Sequence, residues 1–246
     1  MDRLIYTALS GAKHILEQQG NTAHNLANAS TTGFRAQLDA FRAVPVVSEG
    51  LQTRAFVVDS TVGSDFTPGP AQLTGRDLDV ALDGKGWIAV QLNDGSEAYT
   101  RHGSLKLSEN GILQTHSGIS VQGENGPITV PPDVSIQIGK DGTVASIASG
   151  TQPGVSTILG RIKLVNPPEA DLVRGDDGLF RVKAGTPVDA DPAVRVVGGS
   201  LEGSNVNVVE AMVSMISLAR AFESQMALLK NAENNAAKAS QILSLN

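Results

Sequence analysis

The chain has 246 residues, 19 basic and 25 acidic, for a formal charge of −6. Charged residues make up 18% and aromatics 4%, with 26 glycines and no cysteine. Lack of cysteine excludes disulfides, thiolate metal sites and cysteine nucleophiles, and the acidic balance shows no basic stripe of the kind a nucleic-acid binder carries. No stretch approaches the about 20 apolar residues of a membrane span, so no direct membrane insertion is expected. Nor do the opening residues contain the apolar run of a cleaved signal peptide.

The first predicted element is a helix over residues 1–28. Positions 1, 5, 8, 12, 15, 19, 22 and 26 read Met, Ile, Ala, Ala, Ile, Gln, Thr and Leu, mostly apolar at the 4,3 spacing of a helix seam. The turn-forming run Ser30-Thr31-Thr32-Gly33 ends it. Residues 29–75 contain Pro45, Pro68 and Pro70 and read as an extended, irregular connector.

Residues 76–195 read as a mainly antiparallel β domain. Asp94-Gly95, Asn110-Gly111, Asp141-Gly142 and Asp177-Gly178 are hairpin-type turn dipeptides between short apolar runs. Those runs are Leu78 to Leu82, Trp87 to Leu92, Ser104 to Leu107, Val134 to Ile138, Ile162 to Val165 and Leu179 to Val182. Pro131-Pro132, Pro153 and Pro167-Pro168 cut the region into short pieces. Trp87 sits in an apolar run and reads as core.

Residues 196–206, with Gly198, Gly199 and Gly203, form a return linker. A second helix is predicted over 207–246, with Asn207 as N-cap and Glu210 three residues on. Its seam is Val208, Met212, Met215, Ala219, Phe222, Met226 and Leu229, and no Gly or Pro interrupts it. At 1.5 Å per residue the two helices would be about 40 and 55 Å long. The fold class is therefore α+β. Both helical ends are net neutral, so the whole acidic excess lies between them. Long neutral helices rich in alanine can pack either as a hairpin within the chain or between chains in a filament. The pattern leaves both open.

Candidate chemistry is thin. His14, His24, His102 and His116 form no HExxH or other metal-ligand spacing. Ser10-Gly11-Ala12-Lys13 matches the S-x-x-K serine–lysine pattern but lacks its companion elements. The acidic group Glu169, Asp171, Asp176 and Asp177 lies among Pro and Gly and reads as a solvated loop. A hydrolase using Ser10 and Lys13 and a soluble coiled-coil binding module are the readings from other classes. No catalytic residue, metal or cofactor is expected.

The ordered motifs point elsewhere. Asn25-Leu26-Ala27-Asn28-Ala29-Ser30-Thr31-Thr32-Gly33-Phe34-Arg35 resembles the N-L-A-N-x-x-T-x-G-[FY]-[KR] signature of bacterial flagellar axial proteins, the rod and hook family. Leu78 to Gly86 and Ala98-Tyr99-Thr100-Arg101-His102-Gly103 resemble its central elements. Ser204-Asn205-Val206-Asn207-Val208-Val209-Glu210-Ala211-Met212 resembles its C-terminal element. The opening Met1 to Ala8, the run Gly11 to His14 and Trp87 are similar to proximal-rod members; a distal-rod subunit is the alternative. The resemblance implies a structural subunit of the periplasm-spanning rod, its terminal helices forming an inner tube and the β domain an outer layer. It implies other proximal and distal rod subunits as partners, and export by the flagellar type III apparatus without a cleaved signal peptide. Assembly would then rest on the motif residues Asn25, Leu26, Ala27, Asn28, Thr32, Gly33, Phe34, Asn205, Val206, Glu210 and Met212, together with Phe222 and Met226 of the seam.

Overall fold

The computed structural model describes residues 2–45, 55–132, 134–148 and 156–244. Met1 and Pro153 lie outside the described residues, as do 46–54 of the connector and the side chain of Leu243. The chain forms two compact units: one holds 1–29, 36–65 and 206–246, the other 30–35 and 66–205.

The first unit contains helix α1, Asp2–Ala27, and helix α2, Val208–Ser244. At 1.5 Å per residue their lengths are about 39 and 56 Å. α1 stops where the Asn28 backbone N–H turns back to His24 O at 3.2 Å, ahead of the turn run. α2 starts at Asn207, whose Oδ1 accepts from Val209 N (3.1 Å) and Glu210 N (3.3 Å). That satisfies two of the four amide donors a helix start leaves open.

The helices pack on each other within this unit. On α1 the described seam positions Ile5, Ala8, Ala12, Ile15, Gln19, Thr22 and Leu26 are all covered or half-covered. On α2 the covered face is offset from the predicted seam. It runs through Ala211, Met215, Leu218, Phe222, Gln225, Leu229 and Ala232, while Val208, Met212 and Met226 are exposed.

The connector is not irregular throughout. Gln37–Pro45 and Ala55–Ser64 pair as an antiparallel ribbon, with a bulge between Ala40 and Phe41, and the ribbon packs on α1. The Asn25 side chain acts as one more strand residue at its base: its Nδ2 donates to Gln37 O at 2.9 Å and its Oδ1 accepts from Gln37 N at 2.8 Å. Asn21 donates to Asp39 beside it.

The second unit is antiparallel β. Its main sheet runs in the order Leu172–Arg174, Phe180–Val182, Glu97–Thr100, Trp87–Gln91, Ser120–Gly123, Leu113–Thr115, Leu105–Leu107. A three-stranded sheet joins Val134–Ile138, Thr143–Ala148 and Ser156–Arg161. Two ribbons pair Val80–Asp83 with Arg195–Gly198, and Ala71–Leu73 with Ser200–Glu202. All four Asp-Gly and Asn-Gly signals fall at tight turns, with the glycine at positive φ. The three turn aspartates also bond two residues ahead, as Asp94 does to Ser96; such bonds hold the Asp94 and Asp141 carboxyls below the usual range, while the Arg181 guanidinium, with the Leu179 amide, lowers that of Asp177.

Successive residues of the central Trp87–Gln91 strand point to opposite faces, and both faces are buried. Ile88 joins Val80, Leu105, Leu113, Val144 and Ile162 in the larger core. Trp87 and Ala89 join Tyr99, Val165 and Phe180 in the second. Trp87 stands 4.5 Å from Phe180 and 6.0 Å from Phe66 between ring centroids, as its apolar run predicts for a core residue.

Candidate functional site

Two features of the chain concern what it does: a buried ionic clamp in the β unit and uncovered apolar stripes on the helices. The clamp joins motif residues, among them Gly33, Arg35 and Arg101, to Glu202 and Gly69, which lie outside the motifs. Gly33 N donates to Glu202 O at 2.7 Å. The Glu202 carboxylate lies between two arginines, with Arg35 Nη2 at 2.6 Å from Oε1 and Arg101 Nη1 at 2.9 Å from Oε2. Gly69 N gives Oε1 a further hydrogen bond at 3.0 Å. Arg101 also donates to Gly84 O at 2.8 Å and lies 5.4 Å from the Trp87 ring. Arg174 donates to Arg35 O at 3.1 Å, with its guanidinium 4.5 Å over the Phe34 ring. Asn205 closes the group by donating from Nδ2 to Thr67 O at 3.1 Å.

Arg35, Arg101 and Glu202 are almost wholly buried, at 1%, 5% and 3% exposure. Taking three charges out of water is tolerated because each carboxylate oxygen receives charge-assisted bonds. Burial pulls Arg101 below its ordinary range, and the adjacent Glu202 pushes it back up. Gly33 is at φ +68, and a Cβ there would lie 2.4 Å from Arg101 backbone carbon. Only glycine meets both conditions. The chain crosses between units at residues 29/30, 35/36, 65/66 and 205/206. Three of these four crossings, at Arg35, Phe66 and Asn205, fall on the β side at residues of this group or next to one.

The predicted site residues thus divide. Gly33 and Phe34 belong to the clamp, Asn205 ties to Thr67, and Thr32 is half-buried next to them. Asn25 pairs with Gln37, and Asn28 caps α1 by donating from Nδ2 to His24 O at 2.9 Å. Leu26, Val206 and Phe222 are half-covered, while Ala27, Glu210, Met212 and Met226 are exposed. Glu202 and Gly69 were not singled out by any motif. The side-chain partners of Glu202 and the partner of Gly69 lie 101 to 167 residues away in sequence, so no local spacing marks them.

The helices leave apolar stripes uncovered. On α1, Tyr6, Leu9 and Leu16 are 59%, 55% and 51% exposed. On α2, Val209, Val213 and Ile216 follow i, i+4, i+7 spacing at 70%, 59% and 55% exposure. Such stripes on both helices of one unit mark a surface for other chains. Lys13, the lysine of the S-x-x-K pattern, reaches instead to Glu17 at 3.5 Å in solvent. Among the described residues no group of His, Asp and Glu could hold a metal, and no helix is long and apolar enough to cross a membrane.

Residues 81–146 match the flagellar hook protein FlgE/F/G D1 domain, and 197–242 match the flagellar basal body rod FlgEFG protein C-terminal family. The flagellar basal-body rod protein FlgF of Escherichia coli K12 is 50% identical over the whole of both chains. That of Salmonella typhimurium LT2 is 49% identical, again over both full lengths. The flagellar basal-body rod protein FlgG of Buchnera aphidicola subsp. Schizaphis graminum is 31% identical over 89% of this chain and 92% of its own. Full-length identity at this level places the chain in the flagellar basal-body rod FlgE/F/G family, a family of structural proteins.

Proposed function

We propose that this chain is a structural, non-catalytic subunit of the proximal rod of the flagellar basal body, and that it assembles through α1 and α2. The observation that carries the reading is the pair of neutral helices with uncovered apolar stripes, in a chain whose full-length relatives are named FlgF rod proteins. The stripe Val209, Val213 and Ile216 would be buried against helices of neighbouring proximal or distal rod subunits. Neutral ends allow such helices to approach without like-charge repulsion. The subunit would reach the rod through the flagellar type III export apparatus, as the resemblance of its motifs to flagellar axial proteins implies.

The FlgF reading is favoured by the two relatives at 50% and 49% identity over the full chain; other FlgF relatives, at 29–34%, overlap the 31–32% of the FlgG relatives. The test is to replace the chain in a flagellated host by an epitope-tagged copy and isolate basal bodies. Label should appear on the membrane-proximal part of the rod. Label only on the distal part would assign the chain to the alternative position, and complete rods without label would reject the proposal.

A further inference from the structure

The two exposed apolar stripes lie at opposite ends of the helical unit. α1 and α2 run antiparallel: Gly11 lies against the Gln225 side chain, and Ile5 shares a groove with Leu229 and Glu233. Counting along both helices from the Gly11 contact, Leu9 is level with Ala227, Leu16 with Arg220 and Ala27 with Val209. The α1 stripe of Tyr6, Leu9 and Leu16 therefore stands level with the middle and later part of α2. The α2 stripe of Val209, Val213 and Ile216 stands level with the end of α1. Neither stripe covers the other within one chain.

A second copy docked at the same height would not cover them either. It would set Leu16 against Arg220 and Tyr6 against Lys230, and would leave Val209 to Ala27. A displacement of two heptads along the helix, about 14 residues or about 21 Å, changes the match. Tyr6 then meets Ile216 and Leu9 meets Val213. The spacing agrees as well, because 6, 9, 13 on one helix runs against 216, 213, 209 on the other in the same 3,4 steps that an antiparallel seam needs. Charge agrees too: Lys13 arrives beside Glu210, and both are exposed. In its own chain Lys13 reaches Glu17 only at 3.5 Å in solvent, a contact of little worth, and its side chain is 72% exposed.

We propose that α1 of one copy packs antiparallel on α2 of a second copy displaced by about 21 Å along the helix axis. Tyr6 sits on Ile216, Leu9 on Val213, and Lys13 pairs with Glu210. This rests on the reading of the chain as a rod subunit and adds which neighbour covers the stripes, and in what register. A head-to-tail contact with an axial step does not close into a flat ring; it continues as an open helix.

The chain has no cysteine, so a disulfide reports the contact cleanly. The probe is the tagged full chain carrying Leu9→Cys and Val213→Cys, oxidised in basal bodies isolated from the flagellated host. Linked copies are expected on a non-reducing gel. Within one chain the two positions are about 21 Å apart along the axis, too far for a disulfide. Leu16→Cys with Arg220→Cys reports the same-height arrangement and should link no copies. Linked copies from that second pair would overturn the proposal. No linkage from either pair in labelled rods would mean that another protein covers the stripes; it would overturn the proposal and leave the rod reading standing. Where the first pair does not enter the rod, charge reversal decides. Lys13→Glu should lower incorporation by up to about fivefold, and adding Glu210→Lys should restore it. No recovery would overturn the register. Complete rods that lack label with the unsubstituted tagged chain would reject the rod reading itself, and the proposal with it.

Discussion

Glu202 has more bearing on the β unit than its single charge suggests. Its carboxylate accepts from Arg35, Arg101 and Gly69, and its carbonyl from Gly33. Glu202→Ala leaves two buried guanidiniums without an anion and should cost about 3–5 kcal/mol in denaturant unfolding of the full chain. Lys85→Ala, by contrast, removes a pair to Glu169 at 79% and 48% side-chain exposure. That change should cost less than about 1 kcal/mol. Equal losses for the two variants would mean that the clamp is not what holds these segments together. Tyr99 gives a pH-dependent counterpart. Burial pushes its phenol from 10.0 up to about 12, and the residue is 1% exposed. The folded chain therefore holds this proton more tightly than the unfolded one. Its contribution is whole below the unfolded value and is lost as pH rises through the folded value. The fall should amount to about 2–3 kcal/mol across that window, and Tyr99→Phe should flatten it relative to wild type. Identical pH profiles for the two chains would contradict the assignment.

Secondary elements differ in how plainly the sequence announces them. The Asp-Gly and Asn-Gly turns and the seam of α1 were readable because each is a local pattern: a dipeptide, or a 4,3 spacing with one apolar face. α2 was readable as a helix but not in its orientation. Val208, Val209, Met212, Val213, Met215 and Ile216 put apolar residues on several sides, so spacing alone cannot tell the face turned to α1 from the one left outside. The ribbon of Gln37–Pro45 and Ala55–Ser64 was hidden by its bulge. Leu38 and Ala40 alternate in one phase, Phe41 and Ala43 in the other, and the shift between Ala40 and Phe41 breaks the period. The clamp was out of reach because its charges meet only after the chain has folded over distances of a hundred residues or more. The elements should also differ in persistence. Among the described helix residues the buried apolar side chains are the three alanines Ala8, Ala12 and Ala232, whereas the β unit has continuous cores. Amides of α1 and α2 should exchange with solvent well ahead of those in Trp87–Gln91 and Glu97–Thr100 in dilute protein. Equal protection would show that the helices are held as firmly as the sheets.

At the scale of the whole molecule, the chain combines a β unit that satisfies its own core with a helical unit that leaves apolar surface outside. In the proposed assembly the second would lose exposed apolar area on joining neighbouring subunits. The central claim is that the Val209, Val213 and Ile216 stripe is an intersubunit surface. Its most direct test is Val213→Asp, measured two ways. In the isolated chain, Val213 is 59% exposed, so stability should change by no more than about 0.5 kcal/mol. In a host that depends on this chain for its rod, the buried carboxylate should block incorporation and motility while the protein is still made and exported. Normal motility with an unaltered rod, or a loss of several kcal/mol in the isolated chain, would contradict the account.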